Sequence, residues 1–138
     1  MKAPLLSIFL TVPLLVVAAP KTVWDGVYTT AQAARGRSTY LVYCTTCHLE
    51  DLSGGVEFDM QPAPALVRDG FMQGRDLNNV FTFVKANMPA DNAGTLSDAA
   101  YLDILAYVLQ QNAFPAGSDE LKADPALLRN IQIVAKPN

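Results

Sequence analysis

The only two cysteines and the only histidine of this 138-residue chain stand together as Cys44-Thr45-Thr46-Cys47-His48. This spacing is that of a c-type haem attachment sequence. Two thiols three positions apart each add to one vinyl group of a porphyrin, and the adjoining imidazole is then directed at the iron from the same edge. A chain tethered in this way must fold around a large, flat, mostly apolar body. Three plainer readings stand beside it. A zinc site needs a fourth side-chain ligand, and no further cysteine or histidine exists. A thioredoxin-like redox pair expects a strand leading into a helix within a βαβ pattern, which is not legible here. A simple disulfide suits export but leaves His48 without a purpose.

Export itself is suggested by the first 19 residues. Lys2 precedes an uncharged apolar run over residues 3–19 that ends in the small residues Ala18 and Ala19, the shape of a secretory signal peptide. The alternative is a retained anchor, since about 17 apolar residues is the shortest span of a bilayer. Pro4 and Pro13 weaken a spanning helix. The mature chain then covers residues 20–138, a length that suits one domain. Without Lys2 the ten basic residues become nine against thirteen acidic, a formal charge of −4. That balance argues against nucleic acid as a partner and favours solubility.

The hydrophobic periodicity of the mature chain is helical, and no stretch alternates long enough to argue for strands. The expected fold is all-α, with three main helices and long loops. The first helix runs from residue 29 or 30 to about 44 and contains Gly36, which costs about 1 kcal/mol relative to alanine. Close approach of another helix is the natural reason for it. The second helix covers about residues 77–87, with Leu77, Val80, Phe81 and Val84 on one face and Asp76 as cap. The third covers about residues 97–111, with Tyr101, Ile104, Leu105 and Val108 on one face. Ser97 caps it, Leu96 and Tyr101 suit a hydrophobic staple, and Asn112 and Pro115 stop it. Residues 49–75 hold Gly54, Gly55, Pro62, Pro64, Gly70 and Gly74 and form an unusually long loop; wrapping a cofactor explains its length. From about residue 117 the chain reads as a short helix and strap that pack back onto the body.

With His48 as one axial ligand, the other candidates are Met60, Met72 and Met88. Met88, before Pro89 and between the second and third helices, lies on a loop able to fold across the opposite haem face. Met60 and Met72 read as core filling. A ligating imidazole donates its other N–H to an acceptor, and the Pro62-Ala63-Pro64 segment offers a backbone carbonyl. Leu66, Phe71, Phe81 and Val84 are candidates for the haem edges, and Arg68, Arg75 and Lys85 for its propionates; core packing and solvated charge are the plainer readings of both sets.

Several motifs together resemble the small His/Met monohaem cytochromes c of bacterial periplasms, from Ala31 onward. Gly36 and Tyr40 stand eight and four positions before Cys44, where that family packs its first helix on its last, and Tyr107 looks like the matching contact. Asn87-Met88-Pro89-Ala90 followed by Leu96-Ser97-Asp98 is similar to the family's ligand loop and final helix start. Between Phe71 and Leu77 the chain is shorter than many relatives and lacks their tryptophan. Val23-Trp24-Asp25-Gly26-Val27-Tyr28 and Phe114-Pro115-Ala116-Gly117 are similar to a subgroup that accompanies periplasmic quinoprotein dehydrogenases. The resemblance implies a cytochrome c-like fold around one covalent haem c. It implies Cys44 and Cys47 as attachment points, and His48 and Met88 as iron ligands. It also implies a monomeric periplasmic electron carrier rather than an enzyme, with a quinoprotein dehydrogenase as donor and an oxidase or cytochrome as acceptor. The competing functions are a permanent haem subunit of a dehydrogenase complex, or an open-site haem enzyme or gas sensor.

Overall fold

The computed structural model describes residues 20–55 and 63–137. The signal-peptide run, Met60 and Pro62 lie outside the described residues. The element order is β1 (Lys21–Thr22), a 3-10 turn (Val23–Asp25), α1 (Thr30–Tyr43), α2 (Thr45–His48), α3 (Leu77–Asn87), α4 (Asp98–Gln111), α5 (Pro125–Arg129) and β2 (Ile131–Gln132). The three main helices coincide with the three helical segments expected from the sequence. Each begins where a short polar side chain satisfies an orphan amide. Thr29 accepts from Gln32 N–H, Asp76 from Asn79 N–H and Ser97 from Ala100 N–H.

Helices α1 and α4 make the most extensive contact between elements, and Gly36 sits at their crossing. A Cβ added there would lie 1.8 Å from the carbonyl oxygen of Asp103, so no other residue lets the two backbones approach this closely. One turn on, the Tyr40 ring packs at a tilt against Tyr107 with ring centroids 5.3 Å apart. On the same face of α1, Gln32 is buried, and its side-chain amide donates to Leu121 O and accepts from Leu121 N–H. Both polar ends of the amide are thereby satisfied, which removes the cost of burying it. Helix α4 is buried on nearly every side from Tyr101 to Leu109, as expected of a helix at the centre of a small domain.

The segment after α4 returns across the molecule. Tyr28 donates to Phe114 O at 2.6 Å, Gly117 N–H to Tyr28 O at 2.7 Å, and Trp24 packs edge-on against Phe114. The two flanking motifs noted in the sequence therefore pack on each other. Asp124 caps α5, and β2 then pairs in parallel with β1, Lys21 opposite Ile131 and Thr22 opposite Gln132. On its other side β2 meets the approach to α3 through an Asp76–Gln132 bridge and an Ile133 N–H bond to Arg75 O. This small β arrangement was not expected from the sequence. Strands of two residues are too short for alternation to register. Among the described residues no helix is long and apolar enough to cross a membrane.

Candidate haem-binding site

The end of α1 and the single turn of α2 bring the cysteine and histidine side chains together. Cys44 caps α1 with its N–H on Tyr40 O, and His48 N–H returns to Cys44 O at 2.9 Å. Cys44 and Cys47, three apart on a helical turn, therefore lie on one side of it. Neither is in a disulfide. Burial, reinforced by the neighbouring Cys47, pushes the Cys44 thiol up to about 11. At neutral pH it is a protonated thiol rather than a reactive thiolate.

His48 is buried, and its Nδ1 lies 3.0 Å from the carbonyl oxygen of Pro64. A carbonyl only accepts, so Nδ1 carries the proton and Nε2 carries the free lone pair that binds a metal. Among the described residues Nε2 has no hydrogen-bond partner, and none of their fully buried side-chain nitrogens or oxygens lacks one. Nε2 is therefore reachable. The acceptor comes from the segment expected to supply it, and the backbone explains how it gets there. Gly54 N–H bonds to His48 O, Gly55 and Ala63 exchange two hydrogen bonds, and Leu66 N–H bonds to Leu52 O. Gly54 has φ +68°, and a Cβ on it would meet the Ala63 carbonyl oxygen at 2.4 Å. Only glycine fits so tight a fold-back. Tyr40 fixes the other side by donating to Leu49 O at 2.8 Å. The roles of Gly54, Leu52 and the Tyr40 hydroxyl were missed in the sequence, and the Gly54-Gly55 pair was the available signal.

Met88 is the C-cap of α3, half-buried, with its N–H on Val84 O at 2.8 Å. Its carbonyl accepts from the Tyr101 hydroxyl at 2.7 Å. Met72 packs against both core clusters, in keeping with core filling. Phe71 is buried beside Tyr40, Ile104 and Tyr107, with Leu66 and Cys44 packed on that cluster; Phe81 belongs to the other cluster, where Val84 packs. Lys85 turns away from the role considered for it, since its ammonium pairs with Asp98 at 2.6 Å. Arg68 and Arg75 are exposed and form no ion pair among the described residues.

A reachable imidazole nitrogen with a fixed tautomer, two thiols on the adjoining turn and a half-buried thioether on a separate loop suit a covalently attached haem. The family model for cytochrome c oxidase, cbb3-type, subunit III matches residues 31–108, more than half of the chain. The chain belongs to this cytochrome c family. The matched residues of the cytochrome run from α1 through most of α4 and include Cys44, Cys47, His48 and Met88. Its fold is similar to that of a chain in the crystal structure of the sulfane dehydrogenase SoxCD from Paracoccus pantotrophus. The TM-score is 0.51 at 20% identity, over 80% of this chain and 61% of that one. No curated protein matches the chain. A cytochrome c domain carries covalently bound haem c and transfers electrons through its iron.

Proposed function

We propose that this cytochrome c is a periplasmic shuttle for single electrons, with Cys44 and Cys47 as thioether attachment points and His48 and Met88 as the two axial ligands. The haem supplies the one-electron couple. The chain's own residues set its terms. Pro64 holds His48 in the tautomer that presents Nε2, and a thioether opposite an imidazole raises the potential and fills the coordination sphere. The observation that carries the reading is the Nδ1–Pro64 hydrogen bond of the buried His48, which a merely structural disulfide across Cys44 and Cys47 would not require. Val42 and Tyr43, immediately before Cys44, are 68% and 49% exposed. They offer a small apolar surface suited to brief docking. The donor is a periplasmic dehydrogenase, in keeping with the subgroup resemblance, and the acceptor an oxidase or another cytochrome. Periplasmic location rests on the apolar run over residues 3–19.

A second reading is a fixed haem subunit, favoured by the oxidase-subunit family and by the dehydrogenase structure with a similar fold. Light scattering on protein released from the periplasm separates the two, because a shuttle is a monomer and a subunit elutes with its complex. Ligation is tested by the weak near-infrared band of sulfur on ferric iron and by carbon monoxide. The band is expected in the wild type, with no change of the ferrous spectrum under carbon monoxide. Met88→Ala should lose the band, keep covalent haem and show a lower potential. An unchanged spectrum and potential in that variant would refute Met88 as ligand.

A further inference from the structure

The arc from Met88 to Gly94 leaves α3 and enters the approach to α4 with little regular structure of its own. Inside it Asn92 N–H bonds to Pro89 O at 2.9 Å, and Thr95 just beyond it bonds through Oγ1 to Asn92 O at 2.8 Å. Two side chains from α4 hold the region. One is Asp98, paired with Lys85 at the surface, where both side chains are 44% exposed. Such a pair is screened by salt and worth little. The other is Tyr101, 1% exposed. Its hydroxyl donates to Met88 O at 2.7 Å and accepts from Gly94 N–H at 3.1 Å. A hydroxyl has one proton and two lone pairs, and a single buried oxygen therefore fastens both ends of the arc.

We infer that Tyr101 is a positioning residue that governs how often the Met88 loop swings away from the iron, acting through the Met88 carbonyl rather than through the sulfur. The inference rests on Met88 being the axial ligand. Phenylalanine at this position keeps the ring and its packing and removes only the shared oxygen. The Met88 carbonyl and Gly94 N–H are then released from α4 together, and the open arrangement gains population by the worth of the lost bonds, about 5- to 20-fold. Backbone pinning of this kind changes the lifetime of the closed loop without changing the identity of the ligand.

The test is displacement of methionine from the ferric holoprotein by imidazole, with the sulfur-to-iron band as readout, at imidazole concentrations where loop opening limits the rate. Tyr101→Phe should react about 5- to 20-fold faster than wild type while keeping the band at rest. Tyr28→Phe is the control for loss of any buried tyrosine hydroxyl, since Tyr28 is equally buried and donates to Phe114 O at 2.6 Å on a remote segment. It should leave the rate unchanged. Equal acceleration in both variants, or none in Tyr101→Phe, overturns the inference alone. A wild type that lacks the band and reacts like Met88→Ala overturns the ligand assignment, and the role of Tyr101 falls with it. Hydrogen exchange in unmodified protein adds a check that needs no variant. Gly94 is exposed, so its amide is slow to exchange only if Tyr101 holds it, and rapid exchange there refutes the geometry.

Discussion

At the scale of single residues, the site depends on one carbonyl being brought to one ring nitrogen. Pro64 reaches His48 because Gly54 folds back against the Ala63–Ala65 backbone with φ +68°. Gly54→Ala should therefore act on the iron without touching it. The added methyl forces the two backbone segments apart at a cost of about 1–3 kcal/mol, and the Nδ1–H···O bond lengthens or breaks. An imidazole that loses this acceptor is less basic and favours ferric iron less. The expected outcome is a reduction potential higher than wild type in a redox titration, with a lower midpoint in thermal unfolding. A potential that does not move would mean that Pro64 does not tune His48. Cys47→Ala and His48→Ala are expected to yield little or no correctly assembled holoprotein, read as covalent haem stain on a denaturing gel.

At the scale of elements, the structure turns on the α1–α4 crossing, where Gly36 meets the carbonyl of Asp103. Gly36→Ala would raise the intrinsic helix propensity of α1 by about 1 kcal/mol, yet overpacking at so close a contact costs about 1–3 kcal/mol or more. Net destabilisation is expected in chemical denaturation, opposite in sign to what propensity alone requires. This glycine was legible in the sequence because it contradicts its own helix. So were the spans of α3 and α4, whose apolar residues repeat at the helical period and whose caps Asp76 and Ser97 stand just outside. The grouping of Cys44, Cys47 and His48, and an acceptor for His48 from the Pro62-Ala63-Pro64 segment, were legible from residue type and spacing. The fold-back of residues 49–55, the Gln32–Leu121 amide pair and the β1–β2 pairing were not. Their hydrogen bonds run between backbone groups, or from one side chain to a distant backbone, and no periodic pattern encodes them. The ion pair of Lys85 with Asp98 was hidden for the same reason, since it depends on how two helices approach.

At the scale of the whole molecule, the C-terminal strap is fastened to the body partly by charge. Arg35 bridges Asp103 on α4 and Glu120 on the strap, both at 2.9 Å. Its hydrogen bond to Glu120 holds that carboxyl below its ordinary value of 4.5. Asp25 is lowered too, chiefly by Thr22 N–H at the end of β1. A carboxyl with a depressed folded-state value adds stability that is fully present above its unfolded value and is lost as pH falls through the folded one. Loosening of the strap is therefore expected only on acidification below about 4.5. Trp24, which donates to Val134 O on the strap, reports it by fluorescence. Glu120→Gln should flatten this acid limb, and an unaltered limb would assign it to other carboxyls. The contacts that close the molecule join positions far apart in the chain. Arg35 and Asp103 are separated by 68 residues, and Trp24 and Val134 by 110. The α1–α4 part of the core joins residues far apart in sequence, so its formation waits for a long loop to close, which slows folding relative to a helical protein built from neighbouring helices alone. The entropy of that closure grows only with the logarithm of the loop, about 0.6 kcal/mol for each doubling. Between α1 and α4, chain that does not itself hold the site can therefore change in length at little entropic cost, whereas the crossing that closes it leaves no room even for a methyl group at Gly36.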